Sequence, residues 1–347
     1  MLKSYIFIAT DHQKLHNFVV AFFNRIEHET GPFRQDFFED GFRPIVNRHK
    51  SILLRAFTEI YNDIKQWLQV DRSRLCEEVR RSNEIQQICS GEIDPKCIPD
   101  TENGVYEQIR TLFLKLYTEV LDGNPIHDEL GVTLRQHFDA FRKANKDITI
   151  CPMCGISELK TEHDKTRDQY DHYLPKALYP LSSVNFNNLI PTCKECNSFD
   201  VKGEKDVIGF RNGRLFYPYD PNHQGIDIRF VIVNDKPNVD EIDWQVELVS
   251  RDGKDQEVVA WRQIYNIDSR YLGFVKGRIE KWYKAYWQYL QADVLHAMAE
   301  DDKKRSYFAA LEADESELLN YINRPVLQEF LEKCDLAKAK REAEIYT

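Results

Sequence analysis

The 347-residue chain has no long apolar run. The longest one near its start, Tyr5 to Ala9, is too short for a signal-peptide core and lacks a small-residue cleavage site. No later segment approaches the roughly 20 apolar residues that a bilayer-spanning helix needs. A membrane role is therefore not expected, and the expected location is the cytoplasm. The chain also lacks a basic excess, with a formal net charge of -10 and the surplus acid concentrated in residues 206–347, where 26 acidic side chains face 20 basic ones. Duplex binders commonly carry a basic footprint, so contact with a polyanion has to use local basic patches, metal ions or a partner. Internal repeats and low-complexity tracts are missing as well. What remains is an ordinary globular composition, 42% hydrophobic and 30% charged, with room for two or three domains that each bury a core.

Cysteine is present, and its spacing is informative. In a reducing cytosol eight cysteines are not expected to form a disulfide framework. Cys151, Cys154, Cys193 and Cys196 form two C-x-x-C pairs, whereas Cys76, Cys89, Cys97 and Cys334 show no ligand spacing and read as thiols in helices or loops. Four thiolates in two knuckles meet the tetrahedral demand of a structural zinc ion. Rubredoxin-like iron is the rival, because both metals accept four thiolates.

Around this centre the hydrophobic period divides the chain. Residues 1–150 read as a mostly helical N-terminal domain, with core stripes at Leu15, Phe18, Val19, Phe22, Phe23 and Ile26, from Ile52 to Leu68, and from Ile109 to Leu121. A Phe-rich turn region spans residues 31–44, and residues 90–104 are the best loop candidate of this half. A shorter helix around Leu134, Phe138 and Phe141 leads into Cys151. Residues 151–205 hold the cysteine-bounded core. Residues 206–347 read as an α+β domain: Ile226, Ile228, Phe230 and Ile232 alternate, as do Trp244, Val246 and Leu248, with residues 215–220 entering the same sheet. Helix resumes near Val258. Its aromatic-rich stretch, Arg270 to Ala299, is either a nucleic-acid face or, preferred, a packed helix with a solvated basic side. The fold class expected for the whole is α+β.

Between the knuckles lie Asp171-His172-Tyr173-Leu174-Pro175 and then Asn188-Leu189, and the second knuckle ends in Cys196-Asn197. An isolated Asp-His pair is most often structural, and His163, alone in a charged segment, receives no role. In combination with the two C-x-x-C pairs these residues resemble the HNH endonuclease family, over about 50 residues and in the expected order. The resemblance implies a ββα-metal core, two strands and a helix around one divalent cation. It further implies that His172 is the general base, whose ordinary pKa near ~6.5 suits proton removal from water. Asp171 and Asn197 are implied as ligands of a catalytic Mg²⁺ or Mn²⁺, Asn197 from the first helical turn, since hard ions take such oxygen donors. Asn188 is implied to brace the loop and orient the base; taken alone it is an ordinary turn asparagine, and Asn197 alone is a helix cap. Pro175 is expected to end the first strand.

Many family members place a lysine three residues after the last motif position, where this chain has Asp200. Asp200 reads as an extra ligand or, preferred, as a solvated acid on the helix face of Asn197. Lys176 and Lys202 are candidates for phosphate contact, or plain surface lysines. The flanks, with C-P-x-C-G-I, Y-P-Y-D and Arg270-Tyr271, also resemble HNH proteins of bacterial anti-phage systems of the Septu type, in which the nuclease works with a separate ATPase. The expected function is phosphodiester hydrolysis in nucleic acid, with DNA preferred. The alternative is a zinc-stabilised nucleic-acid-binding module or adaptor without activity, which would need the cysteines but not Asp171, His172, Asn188 and Asn197 together.

Overall fold

A computed structural model describes residues 4–234, 241–292, 295–313 and 319–334. These form two compact units, one built from Ser4–Ile148 with Glu158–Pro221, the other from Thr149–Ser157 with the chain after Asn222. Helices dominate and two separate two-stranded antiparallel sheets accompany them, an α+β fold. Among the described residues no helix is long and apolar enough to cross a membrane.

The first unit contains α1 (Gln13–Ile26), α2 (Arg43–Arg48), α3 (Arg55–Ile64), α4 (Gln69–Arg81), α5 (Ile85–Ser90), α6 (Val105–Lys115), α7 (Asn124–Leu130) and α8 (Leu134–Ala144). Leu15, Val19, Phe22, Phe23 and Ile26 recur at three- and four-residue steps in α1 and are all buried, as one helix face facing a core must be. Phe22 stacks on Phe38 from the Phe-rich turn region at 5.1 Å and meets Phe57 of α3 at 4.5 Å. The last carbonyl of α1, Ile26, accepts from the buried Arg72 guanidinium of α4. α8 opens with a reciprocal cap: Thr133 Oγ1 accepts from the Gln136 amide and the Gln136 side chain accepts from the Thr133 amide. α5 ends at Gly91 in a left-handed conformation, φ 82°, where a Cβ would stand 2.1 Å from the Gly213 carbonyl oxygen; only glycine fits there.

Two short strands complete this unit, β1 (Gln169–His172) and β2 (Leu189–Thr192), paired antiparallel with His172 opposite Leu189 and Asp171 opposite Ile190. Tyr170, Leu181, Val184, Phe186 and Leu189, from the hairpin and its connection, are buried in the same core as α1, α3 and α6. The hairpin is therefore seated on the helices.

Residues 215–220 do not enter the second sheet, contrary to the sequence expectation. They belong to the helical unit, where Tyr219 Oη donates to the Leu189 carbonyl at 2.8 Å and Tyr217 Oη donates to Asn187 Oδ1 at 3.2 Å. The phenol groups fix the segment against the hairpin, a long-range pairing that an aromatic run does not announce.

In the second unit, β3 (Ile226–Asn234) pairs with β4 (Asp243–Ser250). Trp244, Val246, Leu248 and Ser250 are buried while the residues between them are exposed, the period-two pattern of a sheet covered on one side. α9 (Asp255–Ile264), α10 (Ile267–Lys276), α11 (Ile279–Leu290), α12 (Glu300–Ala313) and α13 (Asn320–Lys333) follow. The aromatic-rich stretch is broken after Lys276, and Trp282, Tyr283 and Tyr286 of α11 are buried, which favours the packed-helix reading. Trp261 Nε1 of α9 donates to the Met153 carbonyl at 2.9 Å and so holds the first knuckle in this unit.

Besides His172 on β1, the helical unit buries His12, His16 and His137. Burial, aided by the charge of His127, holds His12 down from 6.5 to about 4; burial lowers His16 to about 4; and burial together with His12 lowers His137 to about 3. Their folded pKa values lie below the unfolded one, so protonation favours the unfolded chain. Stability is complete above pH 6.5 and falls progressively as the pH drops from there toward 4, by roughly 3 kcal/mol for His12 alone. Melting temperatures measured between pH 7.5 and pH 4.5 should show this loss, and His12→Phe should reduce it; a melting temperature flat over that range contradicts the account.

Candidate functional site

The C-x-x-C segments fold as knuckles. After Cys151, the Gly155 amide donates back to the Cys151 carbonyl at 2.7 Å, with Gly155 in the left-handed region, and the Ile156 amide points at Cys154 Sγ at 3.4 Å. In the second knuckle the Cys196 amide points at Cys193 Sγ at 3.5 Å. The ligand atoms of Cys151, Cys154, Cys193 and Cys196 lie within 4.8 Å of one another and all four residues are buried. A tetrahedral zinc with bonds of ~2.3 Å sets sulfurs about 3.8 Å apart, so the set fits such an ion with a small inward adjustment. Amides directed at sulfur add the hydrogen bonds that thiolates need. Thiolate chemistry alone admits zinc or iron. Cys76, Cys89 and Cys334 are buried and Cys97 is exposed, and none joins a ligand cluster among the described residues. Burial pushes the Cys76 thiol up to about 12, which keeps it protonated and inert.

Asn188 closes the connection between β1 and β2. It is fully buried; its Oδ1 accepts from the Leu174 amide at 2.7 Å, and its Nδ2 donates to the Leu174 carbonyl at 3.1 Å and to Ser182 Oγ at 3.1 Å. The Asn188 carbonyl accepts from the Tyr173 amide at 2.9 Å. This clamp holds the Leu174 end of the connection to its Ser182 end.

The neighbouring Ser183 carbonyl lies 2.9 Å from Nε2 of His172. A carbonyl only accepts, so Nε2 carries the proton and the Nδ1 lone pair is the basic site. Burial, then the charge of Lys176, lowers His172 to about 3, so the ring is neutral at physiological pH. Tyr117 meets the imidazole edge to face at 4.3 Å. It sits on a π-helical turn, Leu116–Val120, that continues α6, a local distortion that frequently marks functional positions.

Asp171, the preceding strand residue, is also buried but turned the other way, as strand alternation requires. Its Oδ1 accepts from Lys202 Nζ at 2.9 Å, and the same ammonium donates to the His172 carbonyl at 2.6 Å. Asp171 Oδ2 is buried without a partner. Burial raises the Asp171 carboxyl and Lys202 opposes that shift. An orphaned carboxylate oxygen is the kind of hard donor that a small divalent cation takes.

Lys202 is not a surface lysine. Its side chain is fully buried, because the β1 end offers a carboxylate and a carbonyl within reach of one ammonium. Nor does the expected helix follow the second knuckle. Residues 197–204 run as successive turns, with the Ser198 amide donating to Glu195, Val201 to Ser198, and Lys205 to Lys202. Ser198 Oγ donates back to the Glu195 carbonyl at 2.7 Å, and Gly203 adopts φ 45°; both favour turns over a continuing helix. Asn197 is half-buried in the first of these turns, its Nδ2 donating to Gln169 Oε1 at 2.8 Å. Gln169 and Asp171 share one face of β1. Asn197 is thus brought to the Asp171 face, but no hydrogen bond joins the two among the described residues. Asp200 is exposed, as is His163.

The sequence did not mark Tyr117 or Ser183, and it marked Tyr219 only within the 215–220 run and its Y-P-Y-D motif. Tyr117 falls in an apolar helical stripe, Ser183 acts through its backbone, and Tyr219 belongs to a run that resembles a strand.

Metal analysis of the purified chain should find about one tetrahedral thiolate-bound ion per chain, and its removal by a chelator, or Cys196→Ser, should lower the melting temperature sharply while Cys89→Ala retains the ion. Asn188→Ala leaves the buried Leu174 and Ser182 groups without partners and should cost on the order of 2 kcal/mol in urea unfolding; a loss under about 0.5 kcal/mol would remove the clamp from consideration.

Comparison with known proteins yields one partial likeness. The chain is 38% identical over 53 residues to the Septu protein PtuB of Bacillus thuringiensis, a stretch that is 15% of this chain and 20% of that protein. The chain thus matches about a fifth of its relative's length. No family model matches, and no solved structure matches.

Proposed function

We propose that the chain is a metal-dependent HNH endonuclease that hydrolyses phosphodiester bonds, with DNA as its substrate, and that it acts in anti-phage defence beside a separate ATPase subunit. The observation that carries the reading is the arrangement at the end of β1. His172 has its Nε2 proton committed to the Ser183 carbonyl, which leaves Nδ1 as the unprotonated nitrogen, next in sequence to a buried carboxylate with one unpartnered oxygen. Zinc stability alone requires none of this. The likeness to the Septu protein supports the defence role and the ATPase partner.

Hydrolysis needs a water oxygen to bond to phosphorus while the bond to the 3′ oxygen breaks. His172 Nδ1 takes the proton of the attacking water, and the Ser183 carbonyl stabilises the cationic ring that results. The departing 3′ oxygen takes a proton from solvent. Asp171 Oδ2 and the Asn197 amide oxygen would hold Mg²⁺ or Mn²⁺, which supplies Lewis-acid stabilisation of the phosphate and of the leaving oxygen. For that, Asn197 keeps Nδ2 on Gln169 and offers Oδ1. Burial of His172 excludes bulk water from the base.

A second reading is a zinc-stabilised adaptor without activity. Lys202 favours it, because its ammonium already neutralises Asp171. The two separate on plasmid DNA with Mg²⁺ or Mn²⁺. Nicking or cutting is expected from the wild-type chain and is lost in His172→Ala with the melting temperature and zinc content preserved; undiminished cutting by that variant sinks the mechanism. A Mn²⁺ titration should reveal a second, weaker site that Asn197→Ala removes, whereas the adaptor would show the thiolate-bound ion alone.

A further inference from the structure

Two lysines approach the reactive end of β1, and they differ in what neutralises them. Lys202 is buried, with its ammonium spent on Asp171 Oδ1 and the His172 carbonyl; it cannot reach a substrate. Lys176 is half-buried and forms no ion pair among the described residues. Its Nζ stands 5.6 Å from the centroid of the Tyr117 ring, within the range of a cation–π contact. The edge-to-face contact at 4.3 Å and 71° then links Tyr117 to His172. The Tyr117 ring therefore contacts both the imidazole and the ammonium. The charge of Lys176 also acts on both His172 and Asp171.

A cation held by an aromatic face differs from one held by a carboxylate. The ring fixes its position but does not neutralise it, so its full charge is available to an anion. Resting on the nuclease reading above, we propose that Lys176 is a further catalytic residue, contacting a non-bridging oxygen of the scissile phosphate, and that Tyr117 is the positioning residue that holds it beside His172. As the water oxygen bonds to phosphorus and the 3′ oxygen leaves, negative charge grows on the phosphoryl oxygens. Lys176 keeps its proton and stabilises that charge, while the water proton goes to His172.

Cleavage kinetics of the full chain on DNA at fixed Mg²⁺ test this, with His172→Ala in parallel. Lys176→Ala is expected to lower kcat about 100-fold with KM changed less than about threefold, as for loss of one preorganised charge contact. Lys176→Arg should recover most of the rate. Tyr117→Leu should lower kcat about tenfold, Tyr117→Phe should restore it because the ring face is kept, and Lys176→Ala/Tyr117→Leu should be no slower than Lys176→Ala alone. Zinc content and circular dichroism should be unchanged throughout. If Lys176→Ala cuts within about threefold of the wild-type kcat while His172→Ala is inert, the inference falls and the nuclease reading stands. A rise in KM alone, a loss of zinc or helicity matching the loss of rate, or rate losses in the two variants that multiply also overturns it. A wild-type chain no more active than His172→Ala overturns both.

Discussion

Asn188 is buried with both ends of its amide hydrogen-bonded, and the arrangement of the hairpin depends on that clamp. The connection between β1 and β2 is long for a two-stranded sheet and carries buried amides and carbonyls that no ladder satisfies. One asparagine supplies an acceptor and two donors at the point where the connection returns, and so meets the Leu174 amide, the Leu174 carbonyl and Ser182 together. The clamp fixes Ser182, Ser183 follows, and the Ser183 carbonyl sets the tautomer of His172. A chain of short contacts thereby turns loop closure into the chemistry of a ring nitrogen.

The electrostatics follow from strand alternation. Asp171 and His172 are adjacent, so β1 turns them to opposite faces, and each meets a different environment. Asp171 enters a closed site with Lys202, an ion pair whose burial costs solvation that the attraction and the extra hydrogen bond to the His172 carbonyl offset. His172 faces Tyr117 and the Ser183 carbonyl and remains neutral. An acidic chain can still present positive charge locally, because Lys176 is held without being neutralised.

Much of this was legible along the sequence. The stripe from Leu15 to Ile26 and the alternation through Trp244, Val246 and Leu248 reflect local periods, and each became the element its period implies. The knuckles were legible because a tetrahedral thiolate site dictates its spacing, and the four sulfurs converge. Residues 215–220 read as a strand yet pack through phenol hydrogen bonds, and the turns after Asn197 replace an expected helix. In both cases tertiary hydrogen bonds or a glycine in the left-handed region outweighed a weak local preference.

The sequence by itself determined the four metal-type thiols and the helices beneath, because each rests on fixed spacing within one element or one turn, whereas the strand of Asp171 and His172 and the brace at Asn188 were implied by the resemblance. Only the tertiary structure decided that Lys202 is an internal counter-ion while Lys176 forms no ion pair among the described residues, and that Tyr117 from a π-helical turn, distant in sequence, meets the His172 ring. A lysine's role depends on what lies within a few ångströms of its ammonium, and those neighbours are brought by the packing of the hairpin on the helices.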